Sequence, residues 1–470
     1  MSRMRTQRTF LLLCWCLMAC WALTSTGRVQ AEAPRLKVSD NGRFLVQEDG
    51  RPFFYLGDTA WELFHRRDRE EAVHYLDDRA GKGFTVIQAV VLAELDGLNT
   101  PNPYGHTPLK DNDPARPDED YFKHVDFIVD QAAERGLFIG MLPTWGDKFN
   151  KKWGQGPEIF TPENARAYGR FLGERYKEKP ILWILGGDRP IEDDLHEAIT
   201  HAMAEGIRAG DEGRHLMTYH PSGGRTSATW FHEADWLDFN MLQSGHGRRD
   251  LPNHEMITRD YNREPVKPCI DGEPRYENHP INWKPEEGWF DEYDVRKAAY
   301  WALFAGAFGH TYGSHDIWQM YQPGRSPISS ARTPWKESLK LPASAQMRHA
   351  RRLLESRPFL SRIPDQSLIV GGQGEGGDHV QATRSDDESY ALIYISSRKS
   401  IVIDLGKLGG ESLNAWWFDP RDGSARKLDT FRREGRREFQ PPYGGPDWVL
   451  VLDDASRDFP APGQGQGGAP

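Results

Sequence analysis

The segment Leu182-Trp183-Ile184-Leu185-Gly186-Gly187-Asp188-Arg189-Pro190 constrains the fold of this chain more than any other. Four apolar residues in a row fit a strand buried on both faces, the setting of a parallel sheet covered by helices. Two glycines then end the strand, and a carboxylate follows at its C-terminal tip. Val266-Lys267-Pro268-Cys269-Ile270-Asp271-Gly272-Glu273-Pro274 repeats the pattern with Glu273 near the end. Alternate residues of an extended strand share a face, so Asp271 and Glu273 are expected to point the same way.

Between Arg35 and Ile363 such strands alternate with helix-like stretches. Strands are expected at 53–57, 85–91, 138–142, 182–185, 215–219, 236–242, 268–271 and 307–312. Helices are expected at 69–81, 121–135, 162–176, 194–209 and 295–304, with Thr161 as the N-cap of the third. Eight alternations predict an α/β fold, a TIM (β/α)8 barrel over residues 32–363. A Gly-rich linker at 364–377 follows, and then the period changes to two in 390–395, 401–405, 414–418 and 448–452. Gly409-Gly410 and Asp422-Gly423 read as turns. This predicts a small C-terminal antiparallel β-sandwich over 364–456, with a disordered Gly- and Pro-rich tail at 457–470.

The formal net charge of −10 comes from interspersed acids and bases, which argues against a nucleic-acid partner. Residues 1–31 read as a secretion signal. Arg3, Arg5 and Arg8 precede an apolar stretch from Phe10 to Leu23 that is too short for a membrane span, and cleavage is expected after Ala31. The mature chain is then secreted or periplasmic. Leu17-Met18-Ala19-Cys20 offers the alternative of a lipid anchor at Cys20 on the outer surface. Cys14, Cys16 and Cys20 all lie in this segment, so the mature chain keeps Cys269 alone and has no intramolecular disulfide.

In a barrel of this kind, catalytic residues sit at the C-terminal strand ends. Asp188 and Glu273 at two such ends supply the carboxylate pair that glycoside hydrolysis needs. The alternatives are that Asp188 caps the next helix or pairs with Arg189, and that Glu273 belongs to a solvated loop with Asp271, Arg275 and Glu277. Asp58 is a third strand-end acid, placed to bond a sugar hydroxyl, to orient a catalytic group or to cap a helix. Trp61 and Trp145 follow strands directly and would stack on sugars or pack under loops. Gln88, His220, Gln243, His246 and Tyr312 also fall at or near strand ends. No H-E-x-x-H spacing involves His220 or His246, so neither a metal nor a cofactor is expected, and no nucleophile elbow or P-loop is present.

Five motifs in order carry a resemblance: Gly57-Asp58-Thr59-Ala60-Trp61, Pro101-Asn102-Pro103-Tyr104-Gly105, Leu142-Pro143-Thr144-Trp145-Gly146, Leu185-Gly186-Gly187-Asp188 and Asp271-Gly272-Glu273-Pro274-Arg275-Tyr276. They resemble glycoside hydrolase family 140, whose members join a barrel of domain-of-unknown-function family 4038 to a small β domain. The resemblance spans roughly Pro34 to Asp453. It implies a retaining apiosidase that releases apiose-linked side chains from the pectin rhamnogalacturonan II. Asp188 would be its general acid/base, Glu273 its nucleophile, and Tyr276 a substrate contact. Asp188 must then hold a proton near neutrality, helped by the nearby charge of Glu273. Arg189 and Arg275 are expected either to oppose that or to bind the carboxylate of an acidic substrate. The small domain resembles one labelled collagen-binding, although nothing in 378–453 requires collagen. The competing readings are a glycosidase of different sugar specificity, a non-catalytic carbohydrate- or matrix-binding protein, and a protease.

Overall fold

The computed structural model describes residues 34–465, so the secretion-signal reading lies outside the described residues. No described helix is long and apolar enough to cross a membrane.

Eight strands close the barrel: β1 (Tyr55–Thr59), β2 (Val86–Leu92), β3 (Phe138–Thr144), β4 (Ile181–Gly186), β5 (Met217–His220), β6 (Asn240–Gln243), β7 (Cys269–Asp271) and β8 (Gly309–Tyr312). Parallel pairing runs β8–β1–β2–β3–β4–β5 and again β6–β7. Single main-chain hydrogen bonds bridge the two seams, from Asp238 N–H to Met217 O (2.9 Å) and from Phe308 N–H to Cys269 O (3.1 Å), and the Thr218 hydroxyl adds a bond to Phe239 O (2.6 Å) at the first. Every residue of these strands is buried, which is why β2, β3 and β4 read as apolar runs and not as alternations.

The helices used below are α1 (Arg69–Gly81), α2 (Glu119–Glu134), α3 (Pro162–Tyr176), α4 (Asp194–Asp211), α5 (Asn253–Tyr261), α6 (Glu292–Phe304) and α7 (Pro342–Glu355). α1 and α3 have the expected bounds. A full capping box at Thr161 and Asn164 starts α3 where the sequence signals it. Two expected strands are partly something else. Phe53 belongs to a three-stranded antiparallel sheet before the barrel and meets Phe138, at the start of β3, with ring centres 5.2 Å apart. The run 236–239 is not strand. Trp236 leaves the barrel wall to pack on Phe231 (5.0 Å) and donates to His201 (2.9 Å), so β6 begins only at Asn240.

The C-terminal part is a sandwich of two antiparallel sheets. The larger has the order Arg362–Pro364, Val380–Ser385, Tyr390–Ile395, Trp448–Asp454, Ser412–Phe418, Ala425–Arg432, and the smaller has Ile369–Gly371, Ile401–Asp404, Arg436–Phe439. Ile393, Leu413, Leu450, Ile401, Ile403 and Phe439 fill the space between them. The expected linker therefore contributes a strand, because Leu368 and Ile369 are anchored in that core. The larger sheet is buried on its other face as well. Tyr390, Leu392, Tyr394, Val449 and Val451 join the barrel core, and Tyr394 stacks on Tyr300 of α6 at 4.8 Å. Two buried ion pairs cross this junction, Arg296–Asp447 (2.9 Å) and Arg357–Asp453 (2.8 Å). The expectation of a disordered tail is corrected for residues 457–465: Phe459 packs on the core under Arg357, and Gly463 N–H donates to Ser356 Oγ (3.1 Å). A half-buried aromatic ring packed on the core holds this segment despite its Gly- and Pro-rich composition. Residues 466–470 lie outside the described residues.

Candidate active site

The tip of β4 is built by three consecutive residues with positive φ: Gly186 (85°), Gly187 (114°) and Asp188 (54°). Asp tolerates the left-handed region, whereas the value at Gly187 is effectively reserved for glycine. A Cβ on Gly187 would also stand 2.8 Å from Gly146 N and 2.9 Å from Trp145 Cα. This turn puts the Asp188 carboxyl into the barrel mouth. Asp188 is not a helix cap, since the N-cap of α4 is Asp193, which accepts from His196 N–H (2.9 Å).

Glu273 lies two residues beyond β7 and is 7% exposed. Its Oε1 is 3.0 Å from His246 Nε2, and its Oε2 is 3.1 Å from His220 Nε2, the latter an ion-pair distance without good hydrogen-bond alignment. Asp188 N–H donates to His220 Nδ1 (3.2 Å), which leaves the His220 proton on Nε2, facing Glu273. One imidazole therefore connects the two carboxyl-bearing loops. Asp271 does not share the direction of Glu273. The strand ends at Asp271, whose side chain turns out to Ser244 (2.7 Å) and to Asn253 of α5 (3.1 Å).

The two carboxyls differ in protonation. Burial, and then the charge of Glu273, push Asp188 up to about 6 against the pull of Arg189, His220 and Gln243. Burial would raise Glu273 too, but His220 and His246 outweigh it and hold Glu273 at about 2. A third carboxyl shares the cavity: burial pushes Glu94 up to about 8 despite Arg189. The Arg189 guanidinium is wedged between them, donating to Asp188 O (2.8 Å), 3.2 Å from Asp188 Oδ2 and 3.8 Å from Glu94 Oε1.

These groups open on a cavity of about 600 Å³ lined by Trp61, Trp145, Asp188, Gln243, Glu273 and Tyr276 among others. That is an ordinary volume for a small-molecule site. Trp61 and Trp145 pack against each other at 5.2 Å, and both rings lie beside His220. Tyr276 reaches its place because residue 313 is glycine, where a Cβ would lie 2.0 Å from the ring. Trp145 Nε1, Gln243 Oε1, His246 Nδ1 and the Tyr276 hydroxyl are buried without a hydrogen-bond partner among the described residues. Buried polar groups are normally satisfied, so four such atoms around one cavity are sockets for a hydroxyl-rich ligand.

Four expected site residues lie elsewhere. Asp58 is fully buried and accepts from Arg79 Nε (2.6 Å) and the Tyr75 hydroxyl, both on α1, so it faces the helical layer. Tyr312, its partner in the β8–β1 register, donates to Glu277 (2.7 Å) below the mouth. Gln88 points inward but is taken by Tyr55 (3.0 Å) and Thr311 (3.1 Å), under the cavity floor. Arg275 is buried on the carbonyls of Arg249 (2.6 Å) and Leu251 (3.3 Å) and touches neither carboxyl. The sequence reading missed Glu94, Trp153, His279, Trp283 and Trp318. Of these, Glu94 carried a signal, an acid two residues past the apolar run of β2. Trp153 and Trp283 come from long loops; Trp153 donates to Asp188 Oδ2 (3.4 Å), and Trp283 meets His246 at 6.0 Å. As for metal ligands, His106, Asp118 and Asp120 have ligand atoms within 4.8 Å of one another, outside this cavity, but Asp118 is committed to capping α2.

A (β/α)8 barrel with two strand-end carboxyls of well-separated proton affinity and a tryptophan-lined mouth defines a class, the glycoside hydrolases. A family model described as "Apiosidase-like, catalytic domain" matches residues 39–361, and one described as "Putative collagen-binding domain of a collagenase" matches residues 363–453. The chain belongs to the apiosidase-like family. A solved structure described as a glycoside hydrolase is 38% identical with a TM-score of 0.83, covering 90% of this chain and 98% of its own. A glycoside hydrolase family 5 structure from Bacteroides vulgatus is 37% identical with a TM-score of 0.84, covering 90% of this chain and 93% of its own. No curated protein matches the sequence.

Proposed function

We propose that this protein is an exported, retaining apiosidase acting on apiose-linked side chains of rhamnogalacturonan II. The observation that carries the reading is the division of protonation at the barrel mouth: Asp188 held up at about 6, and Glu273 held down at about 2 between two imidazoles. In the first step a Glu273 oxygen attacks the anomeric carbon while Asp188 gives its proton to the departing glycosidic oxygen. The C–O bond breaks and a glycosyl ester forms on Glu273. In the second step Asp188, now a carboxylate, takes a proton from water. The water oxygen displaces Glu273 at the same carbon, and both groups return to their starting states. His246 and His220 keep Glu273 ionised for the attack. Trp61 and Trp145 offer apolar surface to the sugar ring, and Gln243 and Tyr276 offer unpaired polar atoms to its hydroxyls. Export rests on residues 1–31 and would be read by N-terminal analysis of the mature protein, which separates cleavage after Ala31 from acylation at Cys20.

The test is product analysis on rhamnogalacturonan II oligosaccharides with wild type, Asp188→Ala and Glu273→Ala, together with NMR of the first-formed anomer. Apiose or an apiose-linked fragment released by wild type alone, with retained configuration, is the expected result. Turnover surviving in both variants would sink the catalytic assignment. An inverted product would move Glu273 from nucleophile to base.

A further inference from the structure

A second cavity of about 590 Å³ opens on the face of the barrel that carries the active site. Its walls come from the segment after β1 (His65–Asp68), the loop after β2 (Leu95 and 100–103) and the loop after β8 (Gln322 and Arg325). The same three connections line the active-site cavity through Trp61, Glu94 and Trp318. Glu62 ties them together: its N–H donates to Trp318 O (3.1 Å), and its Oε1 accepts from Leu95 N–H (3.1 Å). The two cavities are thus neighbours built on shared loops.

The second cavity holds three guanidinium groups, from Arg66, Arg67 and Arg325. The acids around them are already engaged. Glu62 is bonded by His65 (2.6 Å) and paired with Arg66 (3.3 Å). Asp68 caps α1 through Glu71 N–H (2.8 Å), and Glu71 bridges Arg67 (2.9 Å) and Lys336 (3.1 Å). Arg67 is fully buried, and its Nε has no partner. Half-buried Arg325 makes no ion pair within 4 Å among the described residues, and the charges of Glu62 and Glu71 reach it only from farther away. Burial brings Arg67 down to about 10 against the pull of Glu71, and Arg325 and Arg66 lie close enough to add their repulsion. Pro101 and Pro103 give the opposite wall an apolar surface. A planar, forked cation beside a flat apolar wall suits a carboxylate on a sugar ring.

We infer that this cavity is an anion subsite for a uronic acid unit of the substrate, held by Arg325 and Arg67 while a neighbouring sugar occupies the reaction centre. The inference rests on the glycosidase reading of the main cavity. It also relocates substrate-charge recognition away from Arg275, which is spent on main-chain carbonyls.

Calorimetric titration of the full-length protein with trigalacturonate tests it, beside the fully methyl-esterified trimer, for wild type, Arg325→Ala and Arg325→Lys. A lost charge-assisted contact predicts Kd for the acid weakened about 10–100-fold in Arg325→Ala, with partial recovery in Arg325→Lys. Binding of the acid should also weaken as salt rises, and the ester should bind poorly to all three proteins. Equal binding of acid and ester, no binding of the acid by wild type, or an unchanged Kd in Arg325→Ala would each overturn the subsite. A small neutral aryl apioside keeps the two readings apart. Wild type and Arg325→Ala should hydrolyse it equally. Failure of both to do so counts against the apiosidase reading, while the binding result still decides the subsite.

Discussion

Replacing Gly187 by alanine should damage this enzyme in both stability and rate. Two costs combine. At φ 114° an L-residue is strained, by about 1–3 kcal/mol. The new methyl would also sit 2.8 Å from Gly146 N and 2.9 Å from Trp145 Cα, main-chain atoms that cannot swing aside. Overpacking of that kind costs about 1–3 kcal/mol. Together they remove about 2–6 kcal/mol from a net stability of about 5–15 kcal/mol. With a urea slope of roughly 3 kcal/mol per molar, the unfolding midpoint should fall by about 0.7–2 M. Molecules that stay folded must shift the Asp188 turn or the Trp145 backbone, and a displacement near 1 Å at a reacting group costs about 100-fold in rate. The assay pairs urea unfolding with kcat on the proposed substrate, an apiose-containing oligosaccharide. Gly247→Ala is the control, because a Cβ beside His246 there meets nothing within 4 Å. A Gly187→Ala protein with wild-type midpoint and wild-type kcat would refute the strained-turn account of how Asp188 is placed.

The carboxyl assignments give a pH profile with a definite sign. In the proposed mechanism Asp188 works protonated, so kcat/KM should decline about tenfold per unit above about pH 6, while the acid limb, set by Glu273, should fall only toward about pH 2. A flat profile from pH 5 to 9 would contradict it. Glu94, pushed up to about 8, is neutral at pH 6, so Glu94→Gln exchanges like for like there and should hold kcat/KM within about threefold. A loss of a hundredfold would mean that Glu94 acts ionised. Asp447→Ala strands the buried Arg296 guanidinium at the junction of barrel and sandwich. It should cost about 3–5 kcal/mol, read as a lower urea midpoint and faster thermolysin cleavage between the two parts; wild-type behaviour in both would show that the pair adds nothing.

Much of the architecture could be read locally. Apolar runs ended by glycine mark strands buried on both faces, and Thr161 with Asn164 marks the start of α3. The same local logic located Asp188 and Glu273, because a strand end is a position along the chain. It failed where direction mattered. Asp58 and Tyr312 are strand-end residues that face the helices, and only the register between β8 and β1 places them on that side. Asp271 and Glu273 part company because the strand stops between them. Residues 457–465 pack despite a disordered composition, since the cleft that receives Phe459 is assembled from distant segments.

The sequence alone therefore determined the class of fold, the order of barrel and sandwich, and the two carboxylates at strand ends, since these depend on periodicity and on positions along the chain. Tertiary structure decided the chemistry of those carboxylates. Desolvation acts on half-buried Asp188 and Glu94 and on buried Glu273 alike, and what separates them is which neighbours closure of the barrel brings near. His220 arrives from β5 and His246 from beyond β6 to hold Glu273 ionised. Arg189 stands between Asp188 and Glu94 without overcoming their desolvation. Proximity across strands is a property of the closed barrel, and no local pattern encodes it.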